Sequence, residues 1–181
     1  MQSNYYHGLT GGSLFCDEQI ILKESLRILK SIFDCKALYC RRILKQKGVI
    51  VPDYKDPVYN GDDYISICID NPPDEEFSGE NWDLTPSFDV YVRKKIAIKF
   101  KSSIEQECIF RKFPYKRLPG ERQIYEKIDI SHFDKIIVDL DYLQNEALEE
   151  IYKICSPYKI PVIRFNELDD IDTNQKILCK F

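Results

Sequence analysis

The sequence of 181 residues contains only two histidines and lacks any long apolar run. A membrane-spanning helix needs about 20 consecutive apolar residues, and because no stretch of the chain approaches that length we expect no membrane segment. The first residues are polar and aromatic, unlike the apolar region of a signal peptide. These absences favour a cytoplasmic protein.

Disulfide and metal-ligand spacings are also lacking. The chain has seven cysteines, an odd number, and they are scattered mostly inside apolar runs. This pattern indicates reduced, buried thiols rather than a disulfide framework. Cys35 and Cys40 lie close in sequence, but no second Cys or His pair matches them, so we exclude a zinc site at this spacing and expect no metal.

The composition predicts one folded domain over residues 1–181. Hydrophobic residues make up 44% of the chain and aromatic residues 13%, which is typical of a chain with a packed core. The net charge of -4 argues against a general nucleic-acid coat. Residues 71–86 are acidic and contain prolines, which indicates a surface loop, and residues 166–181 form a polar tail.

Helical and strand periodicities alternate along the chain. Apolar residues recur at helical spacing from Asp17 to Phe33 and from Leu143 to Cys155. Residues 105–115 fit a strand or a helix equally well. The last strand, helix and strand predict a parallel crossover, so the class is α+β. The strand patterns are Tyr5–His7, a short one before Arg41, Tyr64–Ile69, Phe88–Val92, Ile96–Phe100, Phe133–Leu140 and Ile160–Phe165.

A further strand begins with unusual polar residues. After the turn signal at Gly120, alternation places Glu121, Gln123 and Tyr125 on one face of this strand. A carboxylate and an amide two residues apart would point at one spot, where a structural strand usually has β-branched or aromatic residues. Taken alone, these residues favour a solvated edge strand, and it is the histidine of the N-terminal strand that favours a functional site.

The N-terminal strand offers a histidine beside a glycine. His7 precedes Gly8, and the loop 10–13 that follows is rich in glycine. Its backbone amides could hold an anion, although a plain turn is the commoner explanation. A histidine on an aromatic strand is more often structural, and only the adjacent glycine favours a ligand contact. His132 follows Ser131 in a turn, and we expect it to be exposed and without a role.

Two other groups could contact a ligand. On the strand Tyr64–Ile69, Tyr64 and Ser66 share the more polar face, and the tyrosine could stack on a flat ring. The adjacent arginines Arg41 and Arg42 could bind a pyrophosphate through paired hydrogen bonds, although adjacent arginines are usually solvated surface charge.

Together these motifs resemble the ADP-ribosyltransferase superfamily, and in particular the DNA-targeting ADP-ribosyltransferase toxins and their relatives. The resemblance runs from Tyr5 to about Phe165 and rests on the order and spacing of short motifs. Where the family normally carries a glycine, this chain has Lys36. The motifs are Tyr6-His7-Gly8-Leu9 with Thr10, the segment 29–41, Tyr64-Ile65-Ser66, Glu121-Arg122-Gln123-Ile124, and 128–130 with 136–138.

The resemblance implies an ADP-ribosyltransferase-like split β-sheet core with flanking helices and NAD as the substrate. His7 and Gly8 would hold the nicotinamide ribose and the nicotinamide, Tyr64 or Ser66 would flank the ring, and Arg41 or Arg42 would hold the phosphates. Glu121 would stabilise the oxocarbenium-like transition state while the nicotinamide glycosidic bond breaks. Gln123, on the same face as Glu121, would orient the acceptor.

The implied function is transfer of ADP-ribose to a macromolecule by a toxin, an effector or a phage-conflict protein, acting in the cytoplasm or delivered into a target cell. The acceptor, protein or nucleic acid, stays open, as does an antitoxin or immunity partner. Two alternatives remain. One is a non-catalytic interaction module on the same fold, with the acidic loop 71–86 as its contact surface. The other is a cysteine hydrolase that pairs His7 with Cys16, Cys40 or Cys68.

Overall fold

The computed structural model describes residues 4–9, 18–49, 62–70, 96–108, 121–138 and 145–164. Within these ranges the chain forms strands, α-helices and short 3-10 helices. The strands are β1 (Asn4–Gly8), β2 (Ala37–Tyr39), β3 (Tyr64–Asp70), β4 (Ile96–Phe100), β5 (Glu121–Tyr125), β6 (Lys127–Asp129), β7 (Phe133–Val138) and β8 (Val162–Arg164). The α-helices are α1 (Glu18–Cys35), α2 (Arg41–Gln46) and α3 (Asn145–Cys155), and the 3-10 helices span Ser102–Glu107, Ile130–His132 and Ser156–Tyr158.

The protein is an α+β protein with a mostly antiparallel sheet. Six strands form one sheet in the order β5-β3-β1-β4-β7-β8, and β2 pairs with β6 in a separate two-stranded sheet. Strands β7 and β8 are parallel and are joined through α3, which confirms the predicted crossover. None of the helices among the described residues has the length and apolar content needed to cross a bilayer.

Helix α1 packs its apolar stripe against the sheet. Leu29 and Phe33 are almost fully buried, as the helical spacing predicts, and Leu22 and Leu26 pack partly buried against the same core. The helix ends where Lys36 adopts a left-handed backbone conformation with φ 55. The Lys36 N–H donates to the Phe33 carbonyl at 3.1 Å, which satisfies one of the carbonyl groups left over at a helix end.

Helix α3 covers the same side of the sheet. Its residues Ile151 and Cys155 are buried in the core that also contains Leu29 and Phe33 of α1. The Tyr158 hydroxyl, just beyond α3, donates to the Phe33 carbonyl at 2.9 Å and so links the two helices. Burial raises the pKa of the Cys155 thiol to about 12, so this thiol is protonated at neutral pH.

The register of the six-stranded sheet shows which residues lie on each of its two faces. Directly paired residues share a face, and neighbours along a strand alternate. Tyr6 pairs with Cys68, which in turn pairs with Glu121, whereas His7 pairs with Ile98. We call the face of His7 and Ile98 the helix face, since its isoleucines pack with α1 and α3. We call the face of Tyr6 and Cys68 the opposite face.

The predicted elements that fall inside the described ranges are confirmed, with three differences. The segment 41–46, which the sequence did not predict to be helical, forms α2. The polar strand is divided, since β5 belongs to the large sheet and β6 to the small one. His132 is half-buried in a 3-10 helix rather than exposed in a turn. The predicted loops 10–13 and 71–86, the strand Phe88–Val92 and the tail 166–181 lie outside the described residues.

Candidate functional site

The His7 imidazole bonds the neighbouring strand where β1 and β3 stop pairing. The ladder between these strands runs from Asn4 to Tyr6, and beyond it the His7 Nδ1 atom lies 2.7 Å from the Ser66 carbonyl oxygen. Because a carbonyl can only accept a hydrogen bond, Nδ1 carries the proton in this contact. In the neutral ring Nε2 is then the acceptor, so the backbone of β3 fixes both the tautomer and the orientation of His7.

A cavity of about 280 Å³ lies next to this contact. It is enclosed by the second half of α1, the strand β2, the start of α2 and the first residues of β3. Pockets for small molecules typically enclose about 300–1,000 Å³, so the cavity suits a nucleoside-sized portion of a larger ligand. Four of the predicted ligand-binding residues line it: His7, Arg41, Tyr64 and Ser66.

Arg41 and Arg42 are neighbours in sequence but have different surroundings. Arg41 lines the cavity, and its Nε lies 3.4 Å from Asp62 Oδ1. Arg42 is held by two carboxylates, at 2.5 Å from Asp63 Oδ1 and 2.6 Å from Glu126 Oε1. These hydrogen bonds, first to Asp63 and then to Glu126, raise the pKa of Arg42 above its ordinary value. Arg41 is therefore the better candidate for binding phosphate.

The contacts of Arg42 fix the bend that divides β5 from β6. Glu126 has φ 62 at this bend, a conformation that is unfavourable for residues with a side chain. Its N–H donates to the Asp63 carbonyl at 3.0 Å, and its carbonyl accepts from the Cys40 N–H at 2.8 Å. These tertiary contacts, rather than a glycine, hold the chain where it passes from the large sheet into the small one, so no local sequence pattern predicts the bend.

Glu121 and Gln123 occupy positions on the same face of β5, as the alternation predicts, and this face is the opposite face of the sheet. Gln123 is buried, with 4% of its surface exposed, and it pairs with Ser66 on the opposite face. Its Oε1 atom is buried and makes no hydrogen bond within the part of the chain that the structure describes. Glu121 is the first residue of β5 and occupies the position paired with Cys68. His7 belongs to the helix face, so the register does not bring it together with Gln123.

The tyrosine of β3 lies close to the exposed end of β5. The rings of Tyr64 and Tyr125 meet edge to face with their centroids 5.5 Å apart. Tyr125 is 47% exposed, and its hydroxyl lies 3.4 Å from Arg42 Nη2. The nearby Glu126 charge raises the pKa of Tyr125 above its ordinary value. Tyr64 thus connects the cavity with this aromatic edge.

Gly8 and the cysteines complete the set of predicted residues. Gly8 ends β1 and pairs with Ala97, one residue beyond His7. The five described cysteines are free thiols. Cys40 is buried and lines the cavity, whereas Cys68 belongs to the opposite face and Cys16 lies outside the described residues.

Sequence reasoning missed the wall that α1 contributes to the cavity. Arg27, Ser31 and Cys35 recur at spacings of four along α1, which places them on one stripe beside the apolar one. Tyr39 of β2 also lines the cavity, and the Lys47 ammonium lies 4.9 Å from the centre of its ring. The four-residue spacing was visible in the sequence, but such a stripe is usually solvated. Only the tertiary structure shows that this one lines a cavity.

No family model matches this chain, and no curated protein matches it significantly.

Proposed function

We propose that the protein is an NAD-dependent ADP-ribosyltransferase that cleaves the nicotinamide glycosidic bond and transfers ADP-ribose to a macromolecular acceptor. The observation that carries this proposal is the cavity lined by His7, Arg41, Tyr64 and Ser66. These residues come from three separate parts of the sequence, and the resemblance assigns all four to the binding of NAD. The same proposal includes the split β-sheet core that the resemblance to the ADP-ribosyltransferase superfamily implies.

The strand order supports the same proposal. The motifs with His7, with Tyr64 and Ser66, and with Glu121 lie on β1, β3 and β5, which are three adjacent strands of the large sheet. Ser66 links the two ends of the proposed site, since it lines the cavity and pairs with Gln123. In this arrangement the nicotinamide end of NAD would extend from the cavity past Ser66 towards β5.

Each residue has a chemical role in this proposal. The Nε2 atom of His7 would accept a hydrogen bond from a ribose hydroxyl, and the guanidinium of Arg41 would bind phosphate oxygens. Tyr64 would flank the nicotinamide ring. As the glycosidic bond breaks, positive charge develops on the ribose carbon, and the Glu121 carboxylate would stabilise that charge. Gln123 would orient the acceptor.

A non-catalytic binding module on the same fold is the second candidate. It is favoured by the register, because Gln123 and the position of Glu121 belong to the face opposite to His7. A carboxylate on that face could not act on a ribose held beside His7 unless the ligand passes around the first residues of β3, where the pairing with β1 has stopped. Such a module would bind a nucleotide in the cavity without cleaving it.

A labelling experiment distinguishes the two candidates. The purified protein is incubated with NAD labelled in its adenylate phosphate and with cell lysate, and transfer of the label and release of nicotinamide are measured. We expect transfer that Glu121→Ala abolishes and that the control Glu149→Ala, in the exposed part of α3, retains. Unchanged labelling in Glu121→Ala contradicts the enzyme proposal. Calorimetric binding of NAD without transfer or nicotinamide release supports the binding module.

A further inference from the structure

The cavity is positively charged. Among the described residues that line it, the charged side chains are Arg27 of α1 and Arg41 of α2, and no carboxylate belongs to the lining. Lys47 adds a third positive charge nearby through its contact with the ring of Tyr39, which lines the cavity. Two guanidinium groups from different helices at one small cavity favour an anionic ligand, because its oxygens can accept charge-assisted hydrogen bonds from both groups.

The ion pairs of both arginines are partly exposed. The Arg27 Nε donates to Glu24 Oε2 at 2.9 Å, and the two side chains are 50% and 34% exposed. The Arg41 side chain is 23% exposed, and the Asp62 side chain beside it is 48% exposed and also pairs with Lys45. Exposed ion pairs contribute little stability. A guanidinium can therefore turn from such a carboxylate to a phosphate, with which it forms two parallel, charge-assisted hydrogen bonds.

We propose that Arg27 is a phosphate-binding residue and that it forms, together with Arg41, a two-arginine site for the diphosphate group of a nucleotide. The choice of a nucleotide rests on the proposed function, whereas the preference for an anion rests on the charge of the cavity. The remaining lining is mostly apolar and aromatic, with Ile28, Leu38 and Tyr39, so it would contact the base or the ribose. Arg27 was not among the residues that the sequence singled out.

Binding of three probes tests this site. Calorimetry is performed with inorganic pyrophosphate, ADP and adenosine on the wild type, Arg27→Gln, Arg41→Gln and Lys30→Gln. Lys30 is an exposed residue of the same helix that does not line the cavity, so it is a matched control for the loss of one charge. We expect each arginine variant to weaken binding of ADP and pyrophosphate about ten-fold or more. Binding of adenosine should be unaffected, and Lys30→Gln should change affinity by less than about two-fold.

The thiol of Cys35 provides a second readout. Cys35 is exposed and lines the cavity, so a bound ligand should slow its alkylation, which mass spectrometry follows at this residue. We expect ADP to protect Cys35 in the wild type and in Lys30→Gln but not in Arg27→Gln. Should Arg27→Gln fold poorly by circular dichroism, Arg27→Lys keeps the charge but loses the paired hydrogen bonds, and its affinity for ADP should still fall.

Two results would overturn the inference. One is that the wild type binds neither ADP nor pyrophosphate, and the other is that Arg27→Gln, correctly folded, binds both as tightly as the wild type. Other results would contradict either the proposed enzyme activity or the role of Arg27, but not both. Binding of ADP through Arg27 without any consumption of NAD supports this site and contradicts the enzyme, whereas transfer of ADP-ribose that Arg27→Gln leaves intact supports the enzyme and contradicts the role of Arg27.

Discussion

The two faces of the six-stranded sheet are both buried, but by different kinds of side chain. On the helix face the central positions are isoleucines, such as Ile67, Ile98 and Ile136, which pack in one core with α1 and α3. The opposite face combines Tyr6, Cys68, Ala97 and Ile137 with the amide of Gln123. Alternate residues of the same strands therefore form two chemically different surfaces.

This difference in composition predicts that the two faces contribute differently to the stability of the fold. A layer made mostly of isoleucines removes a large apolar area from water and so stabilises the fold. A buried amide whose oxygen makes no hydrogen bond to the described chain lowers stability, because the oxygen gives up its bonds to water. We therefore expect substitutions on the helix face to lower the free energy of unfolding and the removal of the Gln123 amide to raise it.

The largest effect should come from the helix face. Ile98→Ala removes a fully buried side chain and leaves a cavity, which should lower the free energy of unfolding by about 2–5 kcal/mol. Denaturation with urea measures this loss through the shift of the midpoint at constant slope. The exposed Ile20 provides the control, and Ile20→Ala should stay within about 0.5 kcal/mol of the wild type.

The same truncation on the opposite face tests how well that face is packed. Ile137 is also fully buried and pairs with Ala97. If both faces are packed to the density of a protein interior, Ile137→Ala should again cost about 2–5 kcal/mol by urea denaturation. A cost near that of Ile20→Ala would show that the opposite face is loosely covered, and the contrast between the faces would then be one of packing rather than chemistry.

A buried hydroxyl with a partner should behave oppositely to the Gln123 amide. Ser25 is fully buried in α1 and donates to the Leu9 carbonyl at 2.6 Å. Ser25→Ala leaves that carbonyl without its donor and should lower the free energy of unfolding by about 1–2 kcal/mol. The exposed Ser103 provides the control, because Ser103→Ala should have almost no effect. Equal stability of Ser25→Ala and the wild type would contradict this contribution.

Replacing the amide of Gln123 should stabilise the protein. Gln123→Met keeps a similar shape and removes the buried oxygen, which should raise the free energy of unfolding by about 1 kcal/mol. The matched control is Gln46→Met in the exposed part of α2, which should change stability little. A loss of stability in Gln123→Met, measured by urea denaturation, would mean that the amide is held by hydrogen bonds and would remove the chemical contrast between the faces.

The smallest effect should lie outside both faces, at the end of α1. Lys36 has φ 55, and glycine adopts this conformation without the steric cost that a side chain brings. Because glycine also gains entropy in the unfolded chain, Lys36→Gly should raise the free energy of unfolding by only about 0.5 kcal/mol. Lys30→Gly, inside the same helix, should instead lower it by about 1 kcal/mol. Thermal denaturation of both variants checks this opposite sign.

The local elements were predictable from the sequence because they are coded by periodicity. The apolar stripe of α1 and the alternation of Tyr64–Ile69 are properties of a few consecutive residues, and the structure confirms both elements. The bend at Glu126 was not predictable, since no glycine marks it and its contacts come from Asp63, Cys40 and Arg42. Helix α2 was not predicted either, because none of its six residues is buried and it therefore has no apolar stripe at helical spacing.

The candidate site was predictable only in part. His7, Tyr64, Ser66 and Arg41 were named from the sequence, and the structure places them around one cavity. The separation of Arg41 from Arg42 was not predictable, because it depends on Asp62, Asp63 and Glu126, which lie far away in sequence. The proposed role of Arg27 was not predictable either, because charged residues at this spacing are typical of any solvated helix face.

The sequence by itself determined which segments form strands and helices and which side chains alternate on each strand, because these properties depend on neighbours within a few residues. Only the tertiary structure decided that β5, β3 and β1 lie side by side and that α1 closes a cavity against β2 and β3. It also decided that His7 and Gln123 belong to different faces of one sheet. Strand order and register depend on contacts between residues far apart in the chain, and no local pattern records which of the many possible pairings buries the most apolar surface.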